Sequence, residues 1–326
     1  MTAPLKIAFA GTGSIGQRHL RNLLATEPEA QLVFLRANAR RDALSSEVGA
    51  QVVSDMAELL DCAPDGLIIS TPSAFHGQTL FGAVEAGLPV YVEKPVVTSL
   101  ADLAEVHRLT AQRPDLPTLV GCNLRFLPSL QKLHALVRTE IGMPARARFE
   151  AGQWLPDWRP SQDHRHSYSA APQEGGGVIL DLLHELDAAE WILGPLEVAA
   201  ATTAQAPVLQ IDSEAVANIL LRRCDLPLLV SVELDYVARR PLRQYRVVGD
   251  GGTLTWSLAD KLLRLETPIG THDIDCGAEG FDVAKTYERA MAEFLTALRG
   301  GPQTSNPLQT GLSSNALALA AKELSC

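Results

Sequence analysis

The chain has 326 residues, 46% of them hydrophobic and 20% charged, and a formal net charge of −10. That length is too great for one small core and predicts two domains. The negative balance and an aromatic content of 5% argue against nucleic acid as the main partner, since phosphate backbones require a basic face and single strands require stacking platforms.

The first part alternates strand and helix. Ile7 to Ala10 reads as a buried strand that runs into Gly11-Thr12-Gly13-Ser14-Ile15-Gly16, and Ile15 to Ala25 has helical spacing. Gln31 to Leu35 is a second strand. Short helices at Ala43 to Val48 and Met56 to Leu60 flank Gln51-Val52-Val53. Gly66 to Ser70 is a strand, followed by the turn Thr71-Pro72-Ser73 and a helix over Phe75 to Ala86. Pro89 to Val92, a helix over Leu100 to Ala111, and a short strand at Thr118 to Gly121 complete the pattern. Continuous apolar strands separated by helices predict a doubly wound parallel sheet, ending near Cys122. Domains 1–122 and 123–326 follow.

The second part opens with a helix over Leu127 to Thr139. Strands are predicted at Arg146 to Gln153, Glu197 to Thr203, Ala215 to Leu221, Pro227 to Leu234, Arg243 to Val248 and Thr253 to Trp256. One helix, around Leu180 to Leu193, interrupts them. This is the pattern of an α+β domain with a largely antiparallel sheet, one face of which often pairs with a second subunit. Tyr287 to Leu298 and Gly311 to Glu323 are closing helices, and the last is expected to pack back on the first domain.

Cys62, Cys122, Cys224, Cys276 and Cys326 are odd in number and form no Cys-x-x-Cys pair. Thiols in a reducing cytoplasm are expected, with no metal site. The N-terminal apolar run is a first strand and not a signal peptide. No apolar stretch approaches the roughly 18 residues of a membrane span, so no membrane partner is expected.

Gly11, Gly13 and Gly16 match Gly-x-Gly-x-x-Gly between a strand and a helix. There they would serve a tight turn, close approach to a pyrophosphate and helix–strand packing. With Ser14 and Ile15 they predict a dinucleotide site at the helix N-terminus. The end of the second strand lacks the acidic residue that would hold an adenosine ribose. It carries Arg36, Arg40 and Arg41, which suit a 2′-phosphate and favour NADP, with NAD possible; the plainer alternative is a solvated basic loop. Ser70, Thr71, Pro72 and His76 lie at the sheet edge where the cofactor would run, and Glu93 belongs with them. Lys94, after the next strand and before Pro95, is placed to hold a reacting oxygen, although a surface ion pair with Glu93 would also explain it. Glu174-Gly175-Gly176-Gly177 opens the helix with Asp181, His184 and Asp187. Three-residue spacing would put these on one face, with His184 as proton carrier and Asp181 orienting it.

These motifs in combination resemble the glucose–fructose oxidoreductase/inositol dehydrogenase/MocA (Gfo/Idh/MocA) family over essentially the whole chain. The resemblance implies a Rossmann domain, a C-terminal domain with a large open sheet, and homodimers or homotetramers. It implies hydride transfer between NAD(P) and a carbinol or carbonyl carbon of a sugar, sugar derivative or cyclitol, with Lys94 and His184 at the reacting hydroxyl. The family's Asp-x-x-x-His spacing is one residue longer than Asp181-Leu182-Leu183-His184, so Asp181 is expected to orient rather than act. Asn123 and Arg125 lie in a stretch that resembles the family's cleft segment and would meet substrate or nicotinamide. Arg159, His164 and Tyr168 belong to a donor-rich loop that suits a hydroxyl-rich or anionic ligand, or else forms a solvated inter-subunit arm. A non-catalytic NAD(P)-responsive regulator is the alternative function, since fold alone does not fix function.

Overall fold

The computed structural model describes residues 3–38 and 40–325. Cys326 lies outside the described residues, and Cys62, Cys122, Cys224 and Cys276 carry no disulfide. The chain divides into two units. One comprises the residues up to Cys122 together with Tyr287–Leu312, and the other comprises Asn123–Thr286 and the residues from Ser313 on.

The first unit contains β1 (Lys6–Ala10), α1 (Ser14–Thr26), β2 (Gln31–Leu35), α2 (Ala43–Glu47), β3 (Gln51–Val53), α3 (Met56–Asp61), β4 (Gly66–Ile69), α4 (His76–Glu85), β5 (Val90–Val92), α5 (Leu100–Ala111) and β6 (Thr118–Val120). The sheet order is β3-β2-β1-β4-β5-β6, all parallel. Helices must return the chain between parallel strands, so strand residues face apolar layers on both sides. Ile7, Phe9, Phe34, Ile68 and Tyr91 have no exposed surface. Each such aliphatic or phenyl side chain contributes about 1.5–3 kcal/mol on burial. On α1, Gly16, His19, Leu20 and Leu23 form the buried stripe, spaced as one helical face demands. The order reverses between β1 and β4, which opens a crevice at their carboxyl ends.

The second unit contains α6 (Pro128–Thr139), β7 (Pro144–Gly152), α7 (Val178–Asp181), α8 (Leu183–Leu193), β8 (Glu197–Ala204), β9 (Val216–Arg222), β10 (Leu229–Asp235), β11 (Leu242–Gly249), β12 (Thr253–Ser257), β13 (Leu262–Thr267) and β14 (Gly270–Asp273). Its sheet runs β14-β13-β12-β11-β7-β10-β9-β8, and only the β7–β10 pair is parallel. Helix α8 packs on β7 and β10, and α6 packs on β12. Burial alternates along β9 and β10: Ala217, Ile219, Leu221, Val230, Val232 and Leu234 face inward, while Leu220 lies exposed on the other face. Helices α9 (Val283–Leu298) and α10 (Leu308–Leu324) close the chain. The stretch grouped with the first unit is Tyr287–Leu312, so most of α10 belongs with the second.

The structure differs from the sequence pattern in three places. Gln51–Val53 is a true edge strand of the first sheet. The second sheet continues past Trp256 through β13 and β14, where buried Leu263 and Leu265 alternate with Arg264 and Glu266. The helix expected around Leu180 to Leu193 is two helices, broken at Leu182 (φ −99°, ψ 33°). Asp181 and His184 therefore do not share one continuous helical face. Among the described residues, no helix is long and apolar enough to cross a membrane.

Candidate functional site

In the first unit the three glycines each answer a separate steric demand. Gly11 has φ +94°, and a Cβ there would lie 2.5 Å from the Ser70 carbonyl carbon and the Thr71 nitrogen. The left-handed region and that close approach both require glycine. At Gly16 a Cβ would meet the Gly11 carbonyl oxygen at 2.4 Å, so α1 packs directly against the loop. Gly13 is different, because nothing lies within 4 Å of its Cβ direction. Gly13 is also the N-cap of α1, no side chain caps it, and the first turn holds no acidic residue. The opening N–H groups of a thirteen-residue helix thus face outward with a positive end potential.

The β4 turn lies beside this loop. The Ser70 hydroxyl donates to the Gly11 carbonyl at 2.8 Å. Thr71 Oγ1 is buried with no hydrogen-bond partner among the described residues. His76 is buried, and its Nδ1 and Nε2 each lie 2.8 Å from a backbone carbonyl, those of Pro95 and Thr71. Burial holds its pKa below the ordinary histidine value, against the pull of the two carbonyls. A neutral imidazole has one N–H, so it satisfies one carbonyl fully. His76 thus ties the Thr71 turn to the Lys94–Pro95 turn through backbone. An orphaned hydroxyl, an uncapped helix end and an open Gly13 fit the pyrophosphate of a dinucleotide.

At the end of β2, Arg36 donates to Thr12 Oγ1 at 2.9 Å and pairs with Asp42 at 2.7 Å. Asp42 caps α2 by accepting from the Ser45 N–H. That bond, followed by the Arg36 guanidinium, holds its carboxyl down at about 2. Arg40 and Arg41 are exposed. The ion pair of Arg36 is with Asp42, six residues along the chain.

Lys94 follows β5 and is half-buried, and its bond to Pro95 is cis. Glu93 is buried, and His19 meets it, with Nε2 2.7 Å from Oε1. Sequence reasoning missed His19. Its only local signal is its position three residues past Gly16 on the buried stripe of α1.

In the second unit the triple glycine is a packing motif. A Cβ on Gly176 would strike the Tyr168 carbonyl oxygen at 2.2 Å, and one on Gly177 (φ +116°) would strike the Glu214 carboxylate at 2.1 Å. Lys322 on α10 holds that carboxylate at 3.0 Å. Asp181 closes α7, buried, and accepts from the Tyr236 hydroxyl at 2.7 Å. His184 lies half-buried in the first turn of α8. Next to it, Glu185 is fully buried and is met by the Tyr245 hydroxyl at 3.0 Å and Arg243 Nε at 2.7 Å. Burial, then the Glu185 charge, pushes the Tyr245 phenol well above its ordinary value. A cavity of about 150 Å³ opens beside the Leu182 break, lined by Gln153, Trp158 and Arg243 among others.

Asn123 donates to Thr286 Oγ1 at 2.6 Å. Arg125 forks onto Asp187 at 2.9 and 2.7 Å, and that carboxylate is almost fully buried. Arg125→Ala should lower stability by about 3 kcal/mol, because it leaves a buried carboxylate without its fork; a urea midpoint unchanged from the parent protein would refute this. In the donor-rich loop, Arg159 lies over the Tyr168 ring at 5.1 Å, and His164 Nε2 is 2.8 Å from the Leu209 carbonyl. Burial raises the Tyr168 phenol pKa, and the Asp181 charge adds to the shift. Among the described residues, no three His, Cys, Asp or Glu side chains are grouped to hold a metal ion.

Comparison with known proteins follows this division. Residues 5–120 match the oxidoreductase family with NAD-binding Rossmann fold, and residues 130–255 match the GFO/IDH/MocA C-terminal domain. The scyllo-inositol 2-dehydrogenase (NAD(+)) of Bacillus subtilis is 29% identical over 205 residues, which cover 60% of this chain and 55% of that protein. The match thus spans about half the length of that relative. Inositol 2-dehydrogenase 2 of Paenarthrobacter aurescens is 26% identical over 332 residues, covering 97% of this chain and 95% of that one. An oxidoreductase from Agrobacterium radiobacter, solved with NAD+, L-tartaric acid and magnesium, superposes with a TM-score of 0.79 at 24% identity, covering 98% of this chain and 96% of that chain. At that identity the superposition speaks for the fold.

Proposed function

This chain belongs to the GFO/IDH/MocA oxidoreductase family, and from that premise we propose that it oxidises or reduces a carbinol carbon of a sugar, sugar derivative or cyclitol with a nicotinamide cofactor. The observation that carries the proposal is the β1–α1 loop, whose uncapped helix end and open Gly13 suit a pyrophosphate. The relatives named as inositol dehydrogenases support the substrate class. Gly11, Gly13, Ser14, Ile15, Gly16, Ser70, Thr71 and Pro72 would hold the dinucleotide, with His76 and Glu93 fixing the turns behind it.

When bound, the nicotinamide supplies the hydride acceptor or donor. Lys94 donates a hydrogen bond to the reacting oxygen and stabilises its developing negative charge. His184 takes the hydroxyl proton in oxidation and returns it in reduction. Asp181, held by Tyr236, orients its end of the site. Asn123, Arg125, Arg159, His164 and Tyr168 bind or position the substrate. The setting is cytoplasmic. The open face of the second sheet, with Leu220 and Leu229 exposed, is the surface for a homodimer or homotetramer; light scattering that gives a monomer mass would exclude this.

NADP is the preferred cofactor in this proposal. Arg36 supports it, because its guanidinium already reaches the glycine loop and would exchange Asp42 for a 2′-phosphate. The test is titration with NADPH and NADH, followed by cofactor fluorescence. Arg36→Ala should weaken NADPH binding about tenfold or more, the scale of one charge-assisted fork, and leave NADH unchanged. Equal losses for both cofactors would remove Arg36 from 2′-phosphate recognition. A protein that binds neither cofactor would end the enzyme proposal.

A further inference from the structure

We propose that His19 is a positioning residue for Lys94: it holds the Glu93 carboxylate on α1 and so sets the charge that the adjoining ammonium group meets. This rests on Lys94 as the group that holds the reacting oxygen.

His19 has no exposed surface, and its Nε2 lies 2.7 Å from Glu93 Oε1. With the carboxylate accepting, Nε2 carries the hydrogen. The other nitrogen, Nδ1, is buried with no hydrogen-bond partner among the described residues. The ring stands edge-on to Tyr91 at 4.7 Å and to Tyr287 at 6.1 Å, and the Arg18 guanidinium lies 4.6 Å from the centre of the Tyr287 ring. A polar ring enclosed this way depends on its one hydrogen bond, since losing it would leave a second buried nitrogen without a partner.

The carboxylate is also confined from the β6 side. Gly121 follows β6, and a Cβ there would lie 3.0 Å from the Glu93 carboxylate atoms. Thus α1, β5 and the residue after β6 converge on one carboxylate whose chain neighbour is Lys94. Released from His19, that carboxylate would turn to the nearest cation in sequence. The pair would then favour the charged lysine and compete with a substrate oxygen for its hydrogens. The other titratable groups around the turn are His76 at the entry of α4, Tyr91 on β5, Cys122 after β6, and Tyr287 and Glu293 on α9.

The chain has six lysines, few enough to resolve individually. The test is a pH titration of the intact protein, its lysines reductively ¹³C-methylated, by NMR. The Lys94 signal is assigned from its loss in Lys94→Arg. His19→Phe fills the ring volume without a donor and should raise the Lys94 midpoint by about half a unit or more. His19→Gln keeps a donor near Nε2 and should return the midpoint to within about 0.2 unit of the parent. A His19→Phe midpoint at or below that of the parent, or no rescue by His19→Gln, would overturn the proposal. Should His19→Phe not fold, Glu93→Gln decides: removing the charge should lower the midpoint, and an unchanged midpoint overturns the proposal. The readout needs no turnover, so the catalytic role of Lys94 stands or falls separately on the activity of Lys94→Ala.

Discussion

Replacing Lys94 with alanine should reduce turnover by on the order of 10²–10³-fold, the loss that follows removal of one donor to a developing oxyanion. The nicotinamide cofactor should still bind within about threefold of the parent affinity, a change of well under 1 kcal/mol. The asymmetry follows from position. Lys94 stands after β5, two strands away from β1 in the sheet order, whereas the pyrophosphate contacts come from the β1–α1 loop. An interaction made more strongly in the transition state than in the bound ground state affects kcat, and one made equally in both affects affinity. The measurement is steady-state turnover on a panel of inositols and aldoses, with cofactor titration of the same preparations. Equal losses in turnover and cofactor affinity would make Lys94 a cofactor ligand and leave the reacting oxygen without its donor.

Two glycine substitutions should separate fold from cofactor. In Gly11→Ala the new Cβ meets backbone atoms at 2.5 Å, and the residue is held at φ +94°. Left-handed strain of about 1–2 kcal/mol and overpacking of about 1–3 kcal/mol act together, so the melting temperature should fall sharply. In Gly13→Ala the φ of −71° suits any residue, and nothing lies within 4 Å of the new methyl. The melting temperature should stay within a few degrees of the parent, yet cofactor affinity should drop about tenfold or more, because the methyl occupies the path by which backbone approaches the pyrophosphate. Differential scanning calorimetry and cofactor fluorescence on both variants check this. A Gly13→Ala protein that binds cofactor normally would show that the open side of the loop faces only solvent.

The glycine loop was legible because its requirements are local. A left-handed turn, an uncapped helix start and a close helix–strand contact all fall within Gly11 to Gly16 and leave their mark in residue type. The alternation of apolar strands and amphipathic helices was legible for the same reason, since periodicity is a property of neighbours along the chain. β13 carries the alternation of a half-buried strand, Leu263 and Leu265 against Arg264 and Glu266, and was missed all the same, while the edge strand β14 is exposed and has no apolar side chain to mark it. The break at Leu182 left no mark at all. Val178 to Leu193 contains neither glycine nor proline, and a continuous helix was the natural expectation.

The doubly wound class of the first sheet was thus determined by the sequence itself through hydrophobic period, and the resemblance to the family through the glycine loop, Glu93-Lys94-Pro95 and the triple glycine with Asp181 and His184. The partners of the buried charges were decided only by the tertiary structure. His19 meets Glu93 across 74 residues, Arg125 meets Asp187 across 62, and Tyr236 meets Asp181 across 55. A charged side chain on a buried face announces that it must be paired, because an unpaired buried charge is costly. Which distant donor or acceptor meets that need depends on how sheets and helices bring remote segments together.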